Sequence, residues 1–149
     1  MKALLQRVSS CSVRVDGREV SSIGPGLLVL LGISAGDGRE DIDFLVNKVI
    51  NLRIFDDAEG KLNLSLVDVD GELMLVSQFT LYGDARKGRR PSYTAAARPE
   101  QAEPLVDYFV AQLRGMGYNV ATGIFGANMD VEIHNDGPVT LMVEREAPQ

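Results

Sequence analysis

Between Gly24-Pro25-Gly26 and Gly36-Asp37-Gly38 the chain carries one apolar run, Leu27 to Ile33, with no polar residue in it. A run this short, set between glycine-rich breaks, reads as a strand buried on both faces. Whatever fold forms must therefore cover both sides of that strand. The run is also far below the ~20 residues that span a bilayer. Met1-Lys2 leads directly into strand-like sequence with no signal peptide, so the expectation is a cytoplasmic protein without membrane attachment.

The neighbouring segments limit what can do the covering. Leu4 to Val15 favours a strand, and Asp16-Gly17 suits the positive backbone angles of a tight hairpin turn, returning the chain through Val20 and Ile23. Ile42, Leu45, Val46, Val49 and Ile50 recur at the spacing of one buried helical stripe, and Leu105, Val106, Phe109, Val110 and Leu113 mark a second, ended near Gly115 and Gly117. Ile54-Phe55 reads as a short strand, and Leu73 to Phe79 as an apolar strand with a polar end. Toward the C-terminus, Met129, Val131 and Ile133 alternate with Asp130, Glu132 and His134, and Asn135-Asp136-Gly137-Pro138 turns the chain into Val139, Leu141 and Val143. The total is about seven or eight strands and two main helices, without an internal repeat. Two helices are too few to cover both faces of a parallel sheet. The predicted class is α+β: a mostly antiparallel sheet or barrel with two helices packed on it, in a single domain over 1–149.

Composition excludes several functions. A net charge of −6 disfavours a protein that coats nucleic acid, yet Arg86, Lys87, Arg89, Arg90 and Arg98 form a basic island with Asp84 as its single acid. Such an island can hold a short stretch of RNA backbone, or simply be a solvated loop. Cys11 is the only cysteine, which leaves no internal disulfide and no multi-cysteine zinc site, and it reads as a small apolar strand residue. His134, the only histidine, falls on the polar face of its strand and reads as solvated, so a Ser-His-Asp triad has no base and no histidine metal cluster can form. Gly24-Pro25-Gly26 precedes a strand, whereas phosphate cradles need a glycine loop that opens a helix. No cofactor and no metal is expected.

Two segments remain. Ser77-Gln78-Phe79-Thr80-Leu81 places hydroxyls and an amide at the end of a buried strand, just before the basic loop. Residues of this kind at a strand end also serve simply to satisfy backbone hydrogen bonds. In Asn135-Asp136-Gly137-Pro138-Val139-Thr140, glycine permits close backbone approach and the X-Pro bond accepts the cis form, which would turn neighbouring carbonyls to one side. A plain structural turn is the alternative.

Together these two segments resemble the SQFTL and NxGPVT motifs of the D-aminoacyl-tRNA deacylase family. The resemblance extends through Gln6-Arg7-Val8, Ile23-Gly24-Pro25-Gly26-Leu27, Lys87-Gly88-Arg89-Arg90-Pro91-Ser92 and Phe125-Gly126-Ala127-Asn128-Met129, in order along almost the whole chain. Cys11, Gly83 and Tyr93 depart from the family pattern, which has alanine, alanine and phenylalanine there. The resemblance implies a homodimer that hydrolyses D-aminoacyl-tRNA and also glycyl-tRNA mischarged on tRNA(Ala), while rejecting L-aminoacyl-tRNA. In that reading Ser77, Gln78, Phe79 and Thr80 form the catalytic segment. The Gly137-Pro138 turn, cis and oriented by Arg7, enters the partner's site and binds the substrate ammonium. Phe125, Ala127 and Met129 bind substrate, and Arg86, Lys87, Arg89 and Arg90 bind the tRNA acceptor end. Two competing readings are a non-catalytic RNA-end-binding module, which needs only the basic loop, and a hydrolase of free D-amino acid esters, which does not need it.

Overall fold

The computed structural model describes residues 1–146. Strand β1 (Lys2–Val15) organises the sheet. One of its edges takes β3 (Gly26–Gly32) along residues 2–8 and β2 (Arg18–Ile23) along residues 11–15, while the other edge takes the long β8 (Asp130–Glu144). All three pairings are antiparallel. The β1–β2 hairpin turns on Asp16 and Gly17, both at positive φ (51° and 77°), as the Asp-Gly pair predicts.

Beyond β3 the sheet becomes parallel: β3 pairs with β6 (Glu72–Ser77), and β6 with β7 (Val120–Thr122). The reason is connectivity. Helix α1 (Arg39–Asn51) lies between β3 and β6 in sequence, helix α3 (Pro99–Gly115) lies between β6 and β7, and a crossover of that length returns the next strand in the same direction. The sheet is therefore mixed, with its antiparallel pairings gathered on β1. It curls toward closure, since the Ser21 hydroxyl on β2 donates to the Thr122 carbonyl on β7 at 2.6 Å. The small β4 (Phe55–Asp56) and β5 (Leu62–Leu64) pair apart from it. A one-turn helix α2 (Leu66–Val69) follows, capped by Ser65 and Asp68, which exchange backbone and side-chain hydrogen bonds.

The apolar run on β3 is buried on both faces. Leu27, Val29 and Leu31 pack with α1 and α3 residues such as Leu45 and Phe109, whereas Leu28 turns the other way to join Val8, Cys11, Val13 and Met74 inside the curl. Strand β6 divides identically, Leu73 and Leu75 to the helices and Met74 and Val76 to the curl. Close approach of the two parallel strands requires Gly26, because a Cβ there would sit 1.9 Å from the Glu72 carbonyl oxygen. Cys11 is buried as expected, and burial pushes its thiol up to about 11.

Two local expectations are revised. Strand β6 stops at Ser77 rather than Phe79, because Gln78 leaves the sheet (φ −142°, ψ 79°) and residues Phe79–Tyr82 wind into a 3-10 turn. Residues 135–138 do not reverse the chain either. Gln6 pairs with Thr140 and Val8 with Asn135, so two steps along β1 match five along β8, and the surplus bulges outward while the strand continues. Along β8 the alternation is only partly realised. Val131 and Val143 pack inward, but Ile133, Leu141 and Met142 are 36%, 40% and 43% exposed. This strand is an edge whose outer side pairs with no described strand. No helix among the described residues is long and apolar enough to cross a membrane.

Candidate active site

At the end of β6 the Gln78 N–H donates to the Leu31 carbonyl at 2.8 Å, which fixes the point where the chain departs from the sheet. In the 3-10 turn that follows, Leu81 N–H is bonded back to the Gln78 carbonyl at 3.2 Å. The amides of Phe79 and Thr80, as the opening residues of the turn, have no acceptor within it. The Gln78 amide donates to the Thr80 hydroxyl, and Thr80 is exposed. Among the described residues no base is hydrogen-bonded to that hydroxyl. His134 lies on β8 with its imidazole 3.2 Å from Glu132, and among the described residues no group of three His, Cys, Asp or Glu converges as metal ligands would.

Ser77, Gln78 and Phe79 form one side of a cleft of about 590 Å³. The ring of Phe79 is 55% exposed and meets Tyr93 edge-on, centroids 5.3 Å apart. The segment from Phe125 to Met129 forms the facing wall, turning at Gly126 (φ 77°) with the Ala127 N–H donating to the Ile124 carbonyl at 3.1 Å. Ser77, Phe125 and Met129 also border a second cavity of about 570 Å³ that runs between β6 and α3. The departures at 83 and 93 belong to one packing arrangement: a Cβ on Gly83 would lie 3.0 Å from the Tyr93 ring and 3.0 Å from the Thr80 carbonyl oxygen.

Arg7 is nearly buried, and its guanidinium donates to the Ile54 carbonyl at 3.1 Å and to the Asp136 carbonyl at 3.2 Å. It also forms 3.3 Å ion pairs with the half-exposed Asp56 and Asp136 carboxylates. The bulge is closed from within by Asn135, whose amide donates to the Arg7 and Val139 carbonyls at 2.9 and 3.1 Å and accepts from the Thr140 hydroxyl at 3.1 Å. Gly137 sits at φ 119°, where a Cβ would lie 3.0 Å from the Arg7 guanidinium, and the Gly137–Pro138 peptide is cis. Gly137 and Pro138 are exposed and line neither cavity. One chain thus brings Ser77, Gln78, Phe79, Phe125, Ala127 and Met129 into a single cleft with Thr80 beside it, while Arg7, Gly137 and Pro138 stand apart as a second, rigid unit.

The basic loop is pinned at its base by Asp84 and Ser92, whose amides and carbonyls exchange hydrogen bonds at 2.7 and 2.9 Å. Arg86 forks onto the Asp84 carboxylate at 2.9 and 2.8 Å. These hydrogen bonds hold the Asp84 carboxyl down at about 2. Lys87, Arg89 and Arg90 are exposed and form no ion pair with a described residue.

Residues 4–144 match the model of the D-Tyr-tRNA(Tyr) deacylase family. The chain belongs to this family. A D-aminoacyl-tRNA deacylase of Fervidobacterium nodosum is 55% identical over 144 residues, covering 97% of each chain, and one of Heliobacterium modesticaldum is 59% identical, covering 97% of this chain and 96% of that one. Among solved structures, the c-Myc DNA unwinding element binding protein superposes with a TM-score of 0.93 at 44% identity, over 99% of this chain and 100% of its own. A probable eukaryotic D-amino acid tRNA deacylase shares the fold, with a TM-score of 0.80 at 20% identity over 95% and 97% of the two chains. The activity is that of the family: a hydrolase that removes D-amino acids from tRNA.

Within this deacylase the sequence left several contributors unassigned. Asp56 and Asp136 engage Arg7, Asn135 closes the bulge, and Tyr93 packs on Phe79. Only Asn135 carried a readable signal, since an Asn two residues before a Gly-Pro pair suits local side-chain to backbone bonding.

Proposed function

We propose that the cleft beside Gln78 receives the 3′-terminal aminoacyl-adenosine of tRNA, and that the Gly137-Pro138 turn of a second copy of this chain completes it. Water adds to the ester carbonyl, helped by the ribose 2′-hydroxyl, and the oxyanion that forms takes hydrogen bonds from the Phe79 and Thr80 amides. In hydrolases a donor of this kind is worth roughly 3 to 4 kcal/mol. Ser77 lines the floor, Gln78 orients the ribose or the water, and Thr80 is a hydrogen-bonding partner. Collapse of the intermediate returns the proton to the ribose 3′ oxygen, giving free D-amino acid and tRNA.

The reading is carried by the 3-10 turn that opens at Phe79 and Thr80 at the end of the cleft, whose first amides have no acceptor within the turn, and by the Thr80 hydroxyl, which among the described residues is bonded to the Gln78 amide and to no base. The homodimer is supported by β8, whose outer side pairs with no described strand and which exposes Ile133, Leu141 and Met142 beside the exposed turn. Main-chain oxygens of the Gly137-Pro138 turn, braced on either side by the bonds of Arg7 and Asn135, would bind the α-ammonium and leave no room for an L side chain, because rigid backbone cannot swing aside as a rotamer can. Glycine has no side chain to exclude, so glycyl-tRNA, including glycine mischarged on tRNA(Ala), is also a substrate. Lys87, Arg89 and Arg90 hold acceptor-end phosphates, with Arg86 tied partly to Asp84. The protein works in the cytoplasm, on newly charged tRNA.

Incubation with D-tyrosyl-tRNA and L-tyrosyl-tRNA tests the reading: ester loss is expected for the D form alone, and equal loss or none contradicts it. In the same assay under single turnover, Thr80→Val retains near-normal chemistry, whereas total loss with accumulation of a threonyl ester in the native enzyme would establish covalent attack.

A further inference from the structure

The cleft beside Gln78 is lined by apolar side chains, small residues and neutral amides, and among the described residues Arg98 is the one charged residue in its lining. No carboxylate of a described residue lines it. Arg98 lies on the loop between the 3-10 turn and α3, and its backbone is held from both directions. Ala96 pairs with Ser34, and the Ala97 N–H donates to the Ile33 carbonyl at 2.8 Å. The Arg98 carbonyl itself accepts from the Gln101 and Ala102 amides at 3.0 and 2.9 Å as α3 begins. Its side chain has none of these duties. It is exposed, does not cap the helix, and forms no ion pair with a described residue, although Glu100 is two positions away. A fixed backbone carrying an unengaged cation at the wall of an otherwise uncharged cleft is complementary to a neutral ligand with one anionic group at its edge.

The 3′ end of tRNA has that pattern. The terminal nucleoside is neutral, the aminoacyl ammonium is taken up by the turn of the second copy, and the ester-bearing ribose is joined through the 5′ oxygen to one phosphodiester. We propose that Arg98 binds that phosphate, the one directly 5′ of the terminal adenosine, and so sets how deeply the ester is seated against the Phe79 and Thr80 amides. The role is separate from that of Lys87 and Arg89, which are on the loop and do not line the cleft. It rests on the cleft being the site of the terminal adenosine.

Two stable amide analogues separate the claims: 3′-deoxy-3′-(D-tyrosylamino)adenosine, and the same compound carrying a 5′-phosphate, each tested as an inhibitor of D-tyrosyl-tRNA hydrolysis. Charge-assisted hydrogen bonding predicts that the phosphate tightens inhibition of the native enzyme roughly tenfold to a hundredfold. In Arg98→Ala the two analogues become equivalent, while Arg98→Lys restores part of the difference and Lys87→Ala leaves it intact. A phosphate that adds nothing in the native enzyme, or a preference that survives Arg98→Ala, overturns the proposal. Failure of the phosphate-free analogue to compete at any level, with or without Arg98, would instead count against the cleft as the adenosine site.

Discussion

Replacing Arg7 with alanine probes the unit that carries the turn. The buried Ile54 carbonyl would lose its 3.1 Å donor, and an orphaned buried acceptor costs about 1–3 kcal/mol. The Asp136 carbonyl, partly buried, would lose its 3.2 Å donor and regain water, which adds about 1 kcal/mol. The Asp56 and Asp136 carboxylates are 52% and 54% exposed and rehydrate at little cost. The expected destabilisation is therefore about 2–4 kcal/mol, read as a lowered urea midpoint with an unchanged slope. Function should change in a way that stability alone does not explain. With the turn no longer held, hydrolysis of L-tyrosyl-tRNA should rise relative to the D form under conditions where the variant remains fully folded. A variant within about 0.5 kcal/mol of the native protein, with the D-to-L ratio intact, would refute the assignment of Arg7 as the anchor.

Two further outcomes are expected. Substituting both Lys87 and Arg89 with alanine should weaken tRNA binding and reduce the slope of log affinity against log salt by roughly 1.4 to 1.8, two phosphate contacts' worth; an unchanged slope removes the loop from the tRNA interface. The Asp84 carboxyl, depressed from 3.8 to about 2 by its hydrogen bonds to Arg86, should contribute to loop pairing fully above about pH 4 and lose that contribution as pH falls through about 2. Carboxyl NMR titration reads this directly, and a midpoint near 3.8 would show the pair to be open in solution.

Much of the fold is legible in local pattern because burial imposes period. The run over Leu27 to Ile33, the two helical stripes and the Asp16-Gly17 turn appear where the sequence puts them, since each is fixed by which faces must be dry. What the sequence does not reveal depends on distant partners. The parallel pairing of β3, β6 and β7 follows from the crossovers, and the bulge in β8 from its register against β1, neither of which residues 135–138 disclose by themselves. Helix α2 was readable in principle from Ser65 and Asp68, a capping pair three residues apart, but one turn leaves no periodicity to detect. The site divides similarly. Ser77, Gln78 and Thr80 are visible as polar residues ending an apolar strand, whereas Arg98 reads as one more member of a basic island until the bridge between Ser34 and Ala96 brings it to the cleft.

In the proposed mechanism the handedness of the substrate is read by a turn supplied from the other subunit. Complementation between two inactivated chains tests it directly. Gln78→Ala disables the cleft, and Gly137→Ala, whose new Cβ would lie 3.0 Å from the Arg7 guanidinium, disables the turn. Random reassortment of the two into symmetric dimers would give, in the mixed species, one site with both native elements, about a quarter of the native number overall. Recovery of D-selective hydrolysis near that level on mixing is the predicted result, and a mixture no more active or selective than its separate components would contradict the account.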